Sequence, residues 1–144
     1  MKRFAKALFV FAVAVLALGI AVTLGQGLPD GPVPVAWDEE ACAECRMHVG
    51  NPAYAAQLQT RDGDVLNFDD PGCLLRYRAT RHPKVHAVYF HAQQGERWLR
   101  ESEVAFVRAD DTPMGYGLAA VPRRTTGAVS LRQAAKMVAA RRSP

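Results

Sequence analysis

No glycine-rich phosphate loop, nucleophile elbow or His-Glu-x-x-His pair occurs in this sequence, so the common hydrolase and nucleotide-enzyme signatures are missing. Aromatic residues are scarce, at 8%, and do not assemble into an aromatic-and-basic nucleic-acid module. No nucleic acid is expected as a partner. Cysteine is limited to Cys42, Cys45 and Cys73, enough for one disulfide with a thiol left over. Acidic residues stop at Asp111. Beyond it come Arg123, Arg124, Arg132, Lys136, Arg141 and Arg142 with no carboxylate among them.

What is present has an uneven charge. Lys2, Arg3 and Lys6 precede an uncharged apolar run over residues 7–24. Between that run and the basic tail, nine basic residues face fourteen acidic ones, so the body is acidic although the whole chain carries +4. A basic tail on an acidic body reads as a solvated helix face, or as a partner or membrane contact, rather than a nucleic-acid surface. The apolar run is about the length needed to cross a bilayer. It has no clear small-x-small cleavage site and no cysteine to accept a lipid, which favours an uncleaved anchor over a signal peptide. Basic residues before it predict a cytoplasmic N-terminus. The rest of the chain is then expected to be periplasmic (extracytoplasmic), anchored to the inner membrane in an oxidising space.

The chain divides into a signal anchor or signal peptide (1–27), a proline-bearing linker (28–38) and one domain (39–144). Alternation at Tyr54, Ala56 and Leu58 predicts a half-buried strand. Arg61-Asp62-Gly63-Asp64 turns it into a second strand through Leu66 and Phe68. Asp69-Asp70-Pro71 starts a helix running to about Thr80, with Cys73, Leu74 and Tyr77 on one face. Further strands are predicted at 85–91, 97–99, 104–107 and 116–121. Ser130 caps a last helix with Leu131, Ala134, Ala135, Val138 and Ala139 in a stripe. The class is α+β.

Chemistry concentrates in Cys42-Ala43-Glu44-Cys45-Arg46-Met47-His48. Thiol and thioether ligands are soft and select monovalent copper over magnesium, calcium or manganese. Covalent haem attachment needs histidine at position 46, which is arginine, and structural zinc wants a second ligand pair. A thioredoxin-type pair needs a helix N-terminus at the first thiol, and a Gly50-Asn51-Pro52 loop follows instead. A plain Cys42–Cys45 disulfide also fits an oxidising space. With Cys45 and Met47 as two ligands of one ion, Cys42, His48, His82, His86 or His91 is available as a third. Met114 and Cys73 read as core side chains, and Asp69 and Asp70 as helix-capping carboxylates.

Cys42-Ala43-Glu44-Cys45-Arg46-Met47, followed by Gly50-Asn51-Pro52, Ala55-Ala56-Gln57, Asp62-Gly63, Phe68-Asp69-Asp70 and Gly72-Cys73, resembles the NosL family. Trp98-Leu99 and Met114-Gly115 fit its later part, and the likeness spans residues 40–121. NosL proteins are accessory factors of nitrous oxide reductase. The resemblance implies a small antiparallel-sheet domain with two ββα-type halves that binds one Cu(I). Its role would be to carry copper, received from a donor, to a target cuproenzyme, which by the resemblance is nitrous oxide reductase. The family's CxxCGM motif matches Cys42, Cys45 and Met47, and the resemblance implies a distant histidine, either His82 or His86. Arg46 stands where the motif has glycine, and the family's usual lipid-accepting cysteine is missing. The expectation is a copper chaperone, not an enzyme. A thiol–disulfide protein that reduces a partner's copper-site cysteines through Cys42 and Cys45 is the alternative, with an inert membrane-tethered interaction module behind it.

Overall fold

Turns and caps set most element boundaries in the computed structural model, which describes residues 11–16 and 27–141. β1 (Ala56–Thr60) and β2 (Val65–Phe68) form an antiparallel hairpin with Ala56 opposite Phe68. Gly63 takes φ 97° in the turn, where a side chain would be strained. α1 (Pro71–Arg81) begins at Asp70, whose carboxylate accepts the Gly72 N–H at 2.7 Å, with proline in the first helical turn. It ends at His82, which adopts the left-handed conformation at φ 49°.

β3 (Val85–His91) pairs with the other side of β1, and β4 (Trp98–Arg100) pairs with β3, giving the order β2-β1-β3-β4. A second antiparallel sheet has the order β6-β5-β7, built from β5 (Val104–Arg108), β6 (Leu118–Pro122) and β7 (Val129–Ser130). α2 (Leu131–Ala140) starts with a capping box in which Ser130 and Gln133 satisfy each other's orphan amides. The two helices pack together, α1 also covering β1 and β2 and α2 covering β5 and β7. Phe90 meets Phe106 edge-on at 5.1 Å and joins the sheets into one core. The architecture is α+β, as the strand and helix patterns predict.

Three local expectations shift. The strand predicted from Tyr54 starts at Ala56, because Pro52–Tyr54 forms a 3-10 turn capped by Asn51. The strand predicted at 116–121 begins at Leu118, after Gly115 and Gly117 take positive φ and hold the chain in a loop. β1 is buried along its whole length, Gln57 and Gln59 included, rather than half-buried.

The cover on β1 is the proline-bearing segment before the domain. Val33 and Gln57 exchange two hydrogen bonds at 2.8 and 2.9 Å, and Gln59 donates to the Gly31 carbonyl at 2.7 Å. Lower on the same path, the Asp30 carbonyl accepts from Tyr89 and Arg100. Residues 29–33 therefore lie on the sheet face as a strap whose backbone meets the Gln57 amide and the Gln59 NH2, groups that would be costly to bury alone, while Gln59 Oε1 stays buried without a partner among the described residues. The apolar run predicted over residues 7–24 lies mostly outside the described residues. Of it, residues 11–16 are helical with exposed side chains. Among the described residues, no helix is long and apolar enough to cross a membrane.

Gly72 sits where a Cβ would lie 2.1 Å from the Tyr116 ring. Alanine favours a helix by about 1 kcal/mol over glycine, but overpacking against a ring root costs about 1–3 kcal/mol. Gly72→Ala is expected to lower stability by roughly 1–2 kcal/mol, read from the midpoint of chemical denaturation.

Candidate metal centre

Three segments converge at one end of β2. The first is a tight loop closed by a bridge between Ala41 and His48. Within it the Cys42 N–H donates to the Met47 carbonyl at 2.7 Å and the Arg46 N–H to the Cys42 carbonyl at 3.0 Å. Arg46 is held at φ 68°, the left-handed region where glycine is favoured. The Ala43 N–H donates to the Asn67 carbonyl at 2.9 Å and docks this loop on the free edge of β2. The second segment is the first turn of α1, carrying Cys73. The third is the loop before β6, tied in by the Met114 N–H, which donates to Asp70 Oδ2 at 3.1 Å.

The convergence places the sulfurs of Cys42, Cys45 and Cys73 within 4.8 Å of one another, all three as free thiols. Three sulfurs around one ion at about 2.3 Å would stand about 4 Å apart, so closing on a metal needs movements below an ångström each. Cys42 and Cys73 are buried, at 0% and 1% exposure, while Cys45 is partly open to solvent. Glu44 and Arg76 form an ion pair at 2.9 Å that fastens the loop to α1. Asp69 fixes its far side by accepting the Gly50 N–H at 3.1 Å. Burial pushes the carboxyls of Asp69 and Asp70 up from the usual range.

The thiols are not equivalent. Cys42 is lowered from 9.0 to about 5, chiefly because the Cys73 thiol donates to its sulfur. The backbone N–H groups of Cys45, Asp69 and Glu44 also stabilise the Cys42 thiolate, against the cost of burial. Cys73, as the donor to that thiolate, is pushed strongly up, and burial pushes Cys45 up. One thiolate held by two thiols and a ring of amides is thus the arrangement at neutral pH. A cation entering the cluster meets a negative charge already in place.

Of the residues singled out from sequence, Cys42 and Cys45 are brought together. Met47 is on the same loop, two residues past the partly open Cys45, and is itself 58% exposed. His48 is exposed, with Nδ1 2.5 Å from the Asp38 carbonyl. His82 caps the far end of α1, nine residues from Cys73, or about 13 Å along the helix axis. His86 lies near the start of β3, its Nε2 3.3 Å from the Pro29 carbonyl. Neither distant histidine joins the three sulfurs. Cys73 is a core side chain, as its apolar face predicts, but it is also the third member of the cluster. The missed signal is its position: the third residue of a helix capped by Asp70 sits in the turn whose amides point outward from the N-terminus.

Fold and site together define a small α+β domain with a recessed three-cysteine cluster able to hold a soft metal ion. Comparisons with family models, with curated proteins and with solved structures returned no match.

Two outcomes follow for the reduced, metal-free protein. A thiol whose folded pKa is depressed adds stability that is complete above its unfolded value of 9.0 and is lost as pH falls towards 5. The raised pKa values of Cys45 and Cys73 act oppositely, weakening the fold as pH rises through the alkaline thiol range. Thiolate absorbance should therefore show one group titrating near pH 5, and Cys73→Ala should move that titration upward. Separately, Arg46→Gly should stabilise the fold by about 0.5–1 kcal/mol in denaturant titrations, by removing left-handed strain.

Proposed function

We propose that this chain is a Cu(I)-binding chaperone that works outside the cytoplasm, of the kind the NosL resemblance describes, and not an enzyme. One observation carries the reading: three cysteine sulfurs within 4.8 Å, two buried and one open to solvent. Monovalent copper is satisfied by two or three soft ligands, whereas a structural zinc site closes with four. Cys42, Cys45 and Cys73 hold the ion, and the exposed Met47 thioether offers an outer ligand on the side from which a partner approaches. Exchange begins at Cys45, the sulfur an incoming ligand can reach, while the two buried sulfurs keep hold until the partner has bound. The client is a cuproenzyme, with nitrous oxide reductase the one the resemblance points to.

The thiol–disulfide alternative has the opposite requirement. A redox-active pair exposes its low-pKa thiol to attack a partner's disulfide. Here the low-pKa thiol is the fully buried one and the accessible thiol is the one raised by burial. That inversion suits holding an ion better than exchanging disulfides.

The test is anaerobic Cu(I) titration of the reduced chain against a chromophoric Cu(I) chelator, with X-ray absorption to count ligands. One ion per chain, a shell of sulfur without imidazole nitrogen, and losses of roughly a hundredfold in affinity for Cys45→Ser and Cys73→Ser are expected. Met47→Leu should slow transfer to an acceptor more than it weakens binding, and His82→Ala and His86→Ala should leave both unchanged. Full affinity retained in both cysteine variants would remove the reading.

A further inference from the structure

The strap shows where the chain leaves the domain towards its apolar N-terminal run. Pro29 lies against His86 near the start of β3, and Asp30 against the facing pair of Tyr89 in β3 and Arg100 at the end of β4. Cations extend from this exit along one side. Arg100 holds the Asp30 carbonyl, and the next turn, residues 101–103, is bound by Arg123 through the Ser102 and Glu103 carbonyls at 3.3 and 2.7 Å. Arg132 shares a cleft with Arg123 beside that turn, and Arg124 is exposed next to it. Of the carboxylates nearby, Glu101 pairs with Arg78 at 2.8 Å and Glu103 accepts the Arg100 N–H at 3.0 Å, while Asp30 is exposed.

The metal centre lies at the other end. Along β3, His86 marks the exit and His91 the far end, roughly 17 Å away at strand spacing. Trp37 stands 6.5 Å from His91, and the three-cysteine loop follows it in the chain. Around that loop acidic side chains outnumber basic ones, with Asp38, Glu39, Glu40 and Glu44 within a few residues of Cys42 against Arg46 in the loop and Arg76 paired with Glu44. The domain is therefore electrically bipolar, its basic end at the chain exit and its acidic end at the sulfurs.

We propose that the basic end, formed by Arg100, Arg123, Arg124 and Arg132, is a docking surface for anionic phospholipid headgroups. The proposal rests on the reading of residues 7–24 as a segment buried in a bilayer. A chain leaving the bilayer at that segment brings the four guanidinium groups within a Debye length of the headgroups, where each such group strengthens association about fivefold. The same field repels the acidic end. The domain then stands on the membrane by its basic end and presents Cys45 and Met47 away from the lipid, where a copper-accepting protein can reach them.

The experiment uses the full chain with vesicles of phosphatidylcholine alone or with about 30% phosphatidylglycerol, reading flotation and hydrogen exchange. The expected result is flotation with both vesicles, and exchange of the amides of residues 123–127 slowed roughly fivefold or more only where anionic lipid is present. Arg123→Gln/Arg124→Gln/Arg132→Gln should float equally well and lose that slowing, as should the wild-type chain in high salt. Flotation with both vesicles without a lipid-dependent slowing overturns the surface alone and leaves those cations to an acidic protein. Flotation with anionic vesicles only supports the surface and overturns the membrane segment. Failure to float with either overturns both.

Discussion

The fully buried carboxylate of Asp70 accepts backbone N–H groups from two separate segments, Gly72 through one oxygen and Met114 through the other. The first bond starts α1 and so sets which turn Cys73 occupies. The second draws the loop before β6 against that turn, and with it Tyr116, whose ring fills the space a side chain at Gly72 would need. A carboxylate in the interior is tolerated only when its lone pairs are met, and here one partner is a first-turn amide that the helix cannot satisfy internally and the other an amide of the loop before β6. The geometry of the three sulfurs depends on this junction more than on any contact among the cysteines.

Around it the site balances opposing costs. Burying a thiolate is unfavourable, and Cys42 is nevertheless held low because a thiol and several amides face its sulfur. The loop that supplies most of those amides needs a left-handed residue at position 46, and arginine occupies it at some cost in backbone strain. The Glu44–Arg76 ion pair and the Asp69–Gly50 hydrogen bond hold the loop from either side, so its shape is present before any ion arrives. Preorganisation of this kind favours capture, while the partly open Cys45 and the exposed Met47 keep a way out.

The strap links this end of the molecule to the other. By laying its backbone along β1 it turns two glutamines into core residues and fixes where the chain departs, beside a group of arginines. Charge and connectivity then agree: the end nearest the apolar run is basic, and the end that holds the sulfurs is acidic. A domain with such a charge asymmetry has a preferred orientation at a charged surface.

Most local structure was determined by the sequence itself. Period-two alternation and glycine-bearing turns located β1 through β6 to within a few residues, and the Asp70-Pro71 and Ser130 caps located both helix starts, because those signals act through neighbouring residues. The two-residue β7 was too short to register, and the full burial of β1 needed the strap, which contacts it from more than twenty residues away. The site was half legible. Cys42, Cys45 and Met47 lie within one turn of chain, so their proximity follows from spacing. Cys73 and the exclusion of His82 and His86 came only from tertiary structure, which folds the N-terminus of α1 onto the loop and carries the other end of the helix away. Sequence spacing limits what can meet locally, but across some thirty residues only the packing of a helix on a sheet decides which sulfur completes the cluster.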